Sequence, residues 1–85
     1  MRSQKVVILD IMNSMLASAQ LEAMEGITLE KFLIELELRR IYPKKGPLGK
    51  FSAGQVRYIK SVLDHNYPVR QVNNEYYYIG RGLFF

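Results

Sequence analysis

The chain has 85 residues, 48% of them hydrophobic, with 12 Lys or Arg, 8 Asp or Glu, no cysteine and a formal net charge of +4. That size fits one domain with a modest core; the apolar content is too high for disorder, and without cysteine there is no disulfide framework, thiolate metal site or thiol nucleophile. The charge is segregated: residues 1–38 carry three basic and six acidic groups, and residues 39–85 carry nine basic and two acidic groups, a pattern that points to a polyanionic partner for the C-terminal half.

The first element is a helix from about Gln4 to Met24. Apolar residues recur at Ile8, Met12, Met15 and Ala19 and again at Leu9, Leu16 and Ala23, which is helical spacing. Gly26 stands where a C-cap glycine belongs, and Ala17, Ser18 and Ala19 permit close approach of another helix. A strand at Val6–Leu9 is the competing local pattern. The apolar surface is broad for one helix, so residues 1–26 are the expected contact of a homodimer. Arg2 and Lys5 ahead of Val6–Leu9 faintly resemble a signal peptide, but Asp10 interrupts the apolar region. No stretch reaches the 18 or so apolar residues of a membrane span. The expectation is a cytoplasmic protein with no membrane contact.

Residues 27–79 hold a helix–loop–helix and a hairpin. Thr28 is the predicted N-cap of the second helix, with Ile27 and Phe32 at the positions of a hydrophobic staple. Leu29, Phe32, Leu33 and Leu36 form one apolar stripe, and Ile34, Leu38 and Ile41 form another, so burial on two sides or by a partner chain is expected. Pro43 ends the element. Residues 43–51, with two prolines and two glycines, read as a flexible basic loop without regular structure. Ser52 and Gln55 make a capping box for the third helix. Its Val56, Ile59 and Leu63 form the apolar face, with Val62 at the edge, opposite Arg57, Tyr58, Ser61 and His65, with Lys60 at the flank. Pro68–Val72 and Glu75–Ile79 form a hairpin around Asn73-Asn74. Val69, Gln71, Tyr76 and Tyr78 share one face, and Arg70, Val72, Tyr77 and Ile79 the other. Residues 80–85 form a tail whose Leu83-Phe84-Phe85 either enters the core or meets a partner.

The expected fold class is therefore α+β, mostly helical: three helices followed by a C-terminal β-hairpin. That order, from about Thr28 to Ile79, resembles a winged helix-turn-helix. The resemblance implies a third helix in the DNA major groove and a hairpin against the backbone. One departure is the separation of helices two and three by nine residues, where three or four are usual.

Function is sought in the acid-free interval between Glu37 and Asp64, which holds Arg39, Arg40, Lys44, Lys45, Lys50, Arg57 and Lys60. Arg39 and Arg40 also suit the end of a helix dipole. Lys44, Lys45 and Lys50 have no evident structural duty and suit phosphate contacts. Gln55, Arg57, Tyr58 and Lys60 on the third helix, and Arg70 on the hairpin, complete the candidate nucleic-acid site, with Tyr76, Tyr77 or Tyr78 as stacking residues. Duplex DNA is the expected partner ahead of RNA, in a small regulator. The alternative is an adaptor or inhibitor that docks on a larger protein through its apolar helices and tail.

Catalytic chemistry finds no support. Lys45-Gly46-Pro47-Leu48-Gly49-Lys50 has neither the glycine spacing nor the Ser or Thr of a phosphate loop. His65 is the only histidine, too few for a metal site, and suits the end of the third helix. Asp10, Glu22, Glu25 and Glu30 are not paired for acid–base work. No enzyme, cofactor or metal is expected.

Overall fold

The computed structural model describes residues 3–22 and 25–80, which form three helices followed by a two-stranded antiparallel hairpin. α1 spans Gln4–Leu21. The Ser3 hydroxyl accepts from the Val6 amide at 3.2 Å and so satisfies one orphan donor of the first turn. The helical period thus prevails over the strand pattern at Val6–Leu9. α1 ends earlier than its periodicity predicts, with Glu22 as C-cap. Gly26 is not the cap glycine. It has φ +146° and passes under the hairpin, where a Cβ would stand 2.5 Å from the Tyr78 carbonyl oxygen.

The next residue, Ile27, pairs with Tyr78 in both directions: its N–H donates to the Tyr78 carbonyl at 3.0 Å and its carbonyl accepts from Tyr78 N–H at 2.8 Å. This isolated bridge ties the hairpin to the α1–α2 connection and so to the helices. α2 spans Leu29–Arg39. Thr28 caps it as predicted, accepting from Lys31 N–H at 3.1 Å, and the staple residues Ile27 and Phe32 are both buried. Arg40, not Pro43, ends the helix. It adopts a left-handed conformation, φ 56°, which turns Tyr42 back into the core. There Tyr42 is buried, stands edge-on to Phe51 at 5.8 Å and donates to Gln4 Oε1 at 3.2 Å.

Two-sided burial of α2 does not occur. Phe32 and Leu36 are buried and Leu29 and Leu33 partly so, but Ile34, Leu38 and Ile41 are 57%, 69% and 59% exposed. Residues 40–52 connect α2 to α3, a longer link than the element spacing predicts. The link is also more ordered than its prolines and glycines suggest, because residues 47–50 make a tight turn, with Leu48 and Gly49 both at positive φ and Lys50 N–H donating to the Pro47 carbonyl. α3 spans Ala53–Asn66, with Ile59, Val62 and Leu63 buried.

β1, Val69–Val72, pairs with β2, Glu75–Tyr78, in the register expected from the Asn73-Asn74 turn. Both asparagines have positive φ, 51° and 69°, as a type I′ turn requires. The core lies where α1 meets α2 and α3, with Tyr78 of β2 closing one side. α1 contributes Ile8, Ile11, Met12, Met15, Leu16 and Ala19 to it. Among its described residues only Val6 and Leu21 remain as exposed large hydrophobics. The surplus apolar surface that pointed to a dimer contact on α1 thus lies inside the domain. No helix of the described residues is long and apolar enough to cross a membrane. The tail residues Leu83–Phe85 fall outside the described residues.

Candidate nucleic-acid interface

The basic loop is bracketed by one side chain. Gln55 Oε1 accepts from Ser52 N–H at 2.9 Å, which completes the capping box, and also from Lys45 N–H at 2.8 Å. Its Nε2 donates to the Pro43 carbonyl at 2.7 Å. Within the loop, Gly46 N–H donates to the Lys50 carbonyl at 2.8 Å and Lys50 N–H to the Pro47 carbonyl at 3.2 Å. This closure leaves no room at Gly46, where a Cβ would lie 2.6 Å from the Lys50 oxygen. The loop expected to be flexible is therefore pinned to the start of α3 by backbone and amide hydrogen bonds. Gln55, a candidate contact residue, instead holds the loop, its amide committed to protein partners.

The pinning brings three cations to one place. Lys45 and Lys50 flank the loop and are exposed. Arg57 is exposed on α3 and reaches back toward the helix N-terminus, with a guanidinium nitrogen 3.9 Å from the Cβ position of Gly54. Among the described residues none of the three has a carboxylate partner. They surround the N-terminal end of α3, where the helix dipole adds to the positive potential. Tyr58 stands beside them, 42% exposed. The sequence reading missed Leu48. It sits at the loop tip, 94% exposed and at φ 58°, between the two lysines. The available signal was an apolar residue between Pro47 and Gly49 that belongs to no periodic stripe.

The other candidates are placed differently. Lys44 pairs with Glu37 at 3.0 Å, next to the cluster. Lys60 pairs with Asp64 at 2.7 Å on the flank of α3 that faces the hairpin. Arg70 lies on the outer hairpin face, opposite Val69 and Tyr78, and pairs with Glu25 at 3.3 Å. The structure thus gathers Lys45, Lys50, Arg57 and Tyr58, with Lys44 nearby, and separates Lys60 and Arg70 from them.

No family model, curated protein or solved structure matches the chain. Among the described residues no group of three His, Asp or Glu side chains is placed to hold a metal ion. His65 lies in the last turn of α3, with Nδ1 2.7 Å from the Ser61 carbonyl.

On the hairpin side of α3 the surface is acidic. A groove of about 560 Å³ runs between the start of α2, α3 and the inner hairpin face. Glu30, Asp64 and Glu75 line it, with Lys60 as the single cation. Tyr78 donates to Asp64 Oδ1 at 2.5 Å. Burial pushes the Asp64 carboxyl upward, but hydrogen bonds from Lys60 and Tyr78 and the charges of Lys60 and His65 outweigh it, leaving a net depression. Burial, then the bond to Asp64, pushes the Tyr78 phenol well above its ordinary value of 10.0. The depressed carboxyl stabilises the fold above its unfolded pKa of about 4, and that contribution is lost as pH falls through the folded value. The raised phenol stabilises the fold below its unfolded pKa of about 10, and its contribution declines as pH rises above that. Thermal melts of wild type and Asp64→Asn should therefore differ most near neutrality and converge as pH falls through the lowered pKa of the folded Asp64 carboxyl. Tyr78→Phe should flatten the loss of stability above about pH 10. Parallel curves at either end would mean that the Asp64–Tyr78 bond does not form in solution.

Proposed function

We propose that the protein is a small nucleic-acid-binding regulator that takes duplex DNA in preference to RNA. The observation that carries this reading is the cluster of Lys45, Lys50 and Arg57 around the exposed start of α3, without carboxylate partners among the described residues. Cations without acidic neighbours add no ion pair to the fold, whereas on DNA each displaces condensed counterions. α1 does not cover the polar face of α3, so Arg57, Tyr58, Ser61 and His65 remain open to a groove. Arg57 is the candidate for bidentate contact with a guanine edge, and the loop lysines for phosphates.

Lys44 and Lys60 can add to this set by exchanging an exposed carboxylate for a phosphate, since such surface pairs contribute only about 0–1 kcal/mol. The acidic groove beyond Lys60 repels a phosphate backbone. The strand is therefore expected to follow the loop side of α3 rather than the hairpin. That differs from a hairpin wing laid on the backbone, and it demotes Arg70. A cytoplasmic location belongs to the same reading, and cysteine-free composition is compatible with it.

Titration with a short DNA duplex at several salt concentrations tests the proposal. Neutralising three or four phosphates should give a log–log slope of about −3. No binding at the lowest salt ends the reading. Tighter binding of an RNA duplex of the same sequence replaces DNA with RNA.

A further inference from the structure

We propose, resting on the nucleic-acid reading of the same loop, that Leu48 is a wedge: it enters the minor groove beside the cation cluster, parts one base step and kinks the duplex. Leu48 has no evident duty in folding. It is 94% exposed and lies outside the core. The turn that carries it is closed by Lys50 N–H on the Pro47 carbonyl at 3.2 Å, with Leu48 at φ 58° and Gly49 at φ 71°. Two successive positive φ angles define a type I′ turn, whose central positions are dominated by Gly, Asn and Asp. A leucine there forfeits the turn preference and gains no burial in exchange. A side chain held in a sparsely populated backbone conformation, with no packing to account for it, points to function.

The surroundings of Leu48 identify what it meets. The tip is slender, since a Cβ at Gly49 would find nothing within 4 Å. Its base is fixed: Gly46 N–H donates to the Lys50 carbonyl at 2.8 Å, and Lys45 N–H donates to Gln55 Oε1 at 2.8 Å. The side chain is therefore presented in advance, at little entropic cost on binding. Lys45 and Lys50 flank it, exposed and without carboxylate partners among the described residues. With these lysines on phosphates, the tip between them passes the phosphate rim. Arg57 takes the major-groove side, which leaves the minor groove to Leu48. Apolar wedges inserted there unstack a base step and bend the duplex by about 20–90°. Pyrimidine–purine steps such as TA yield most easily and A-tracts resist, so the wedge confers sequence preference without a base contact. A basic tip also suits an anionic bilayer, but interfacial anchoring takes a whole apolar helix face or two lipid chains. One side chain is enough for a wedge.

Two short duplexes test this, one with a central TA step and one with an A-tract. Both are end-labelled for energy transfer and carry a fluorescent adenine analogue at the centre. The wild-type chain should draw the ends of the TA duplex together, brighten the analogue and bind that duplex about tenfold more tightly than the A-tract. Leu48→Gly keeps the turn, because glycine adopts φ 58° without strain. It should retain the log–log salt slope of about −3 but leave the TA duplex straight, with a preference of less than about twofold. Leu48→Met should restore the bend. A wild type that binds the TA duplex without bending it overturns the wedge and leaves the nucleic-acid reading standing. So does a Leu48→Gly chain that bends it as the wild type does. Absence of binding to either duplex at the lowest salt ends both. Leu48-dependent binding to vesicles of phosphatidylserine and phosphatidylcholine, with no bending of DNA, assigns the tip to a membrane surface and overturns the wedge.

Discussion

Gly26→Ala is expected to lower the thermal midpoint by about 12–24 °C, from a destabilisation of about 3 kcal/mol in a domain of this size. Two costs add at this position. The backbone has φ +146°, a conformation that L side chains rarely adopt, and a Cβ would meet the Tyr78 carbonyl oxygen at 2.5 Å and Ile79 Cγ2 at 3.0 Å. The nearest obstacle is backbone, so no side chain can rotate to relieve it. The hairpin must instead move away, breaking the two Ile27–Tyr78 hydrogen bonds and drawing Tyr78 from its buried seat on Asp64. Gly49→Ala is the control. Its φ is +71°, but nothing lies within 4 Å of the new carbon, so it should cost only the left-handed strain, about 1 kcal/mol. Calorimetry on the two variants separates strain from contact. Equal losses would mean that the hairpin does not rest on Gly26 in solution.

What was legible in the chain was local. Thr28, the Ser52–Gln55 capping box and Asn73-Asn74 act within four residues of themselves, and each forms as its spacing predicts. The element order followed, and with it the mostly helical α+β class. What was hidden was long-range. A cap glycine and a glycine under a crossing strand look alike in sequence, and only the pairing of Ile27 with Tyr78 distinguishes them. The early end of α2 depends on Tyr42 finding Phe51 and Gln4, contacts that no helical period records. Apolar residues on two faces of α2 are equally consistent with double burial and with an exposed row, because periodicity reports faces and not what covers them.

The site was legible to the same degree. The excess of basic residues in the interval was visible, but its division was not. Lys44 and Arg70 are paired by Glu37 and Glu25, residues from the acidic half of the chain that folding returns to the basic half. Gln55 was recognised as a cap residue, and its cap geometry is what leaves Oε1 and Nε2 free to hold Lys45 and Pro43 as well. One local motif thereby fixes the loop whose lysines carry the functional reading.

That division yields the second prediction. Replacing Lys45, Lys50 and Arg57 together with alanine is expected to reduce affinity for duplex DNA by about two to three decades at 0.1 M salt and to remove about 2.7 units of log–log slope. Replacing Lys44, Lys60 and Arg70 together removes the same formal charge, but each of these already has a carboxylate within 3.3 Å. Truncating them frees Glu37, Asp64 and Glu25 as well, so the local field changes, yet few phosphate contacts are lost. The second triple should therefore cost less than about one decade and less than about one unit of slope. The comparison holds net charge constant and varies only position, so it distinguishes a built interface from a general attraction of a basic protein for a polyanion. Equal slopes in the two variants would eliminate the cluster as the binding site. A selective loss in the first, with its circular dichroism unchanged, would tie binding to the start of α3 and to the loop that Gln55 holds there.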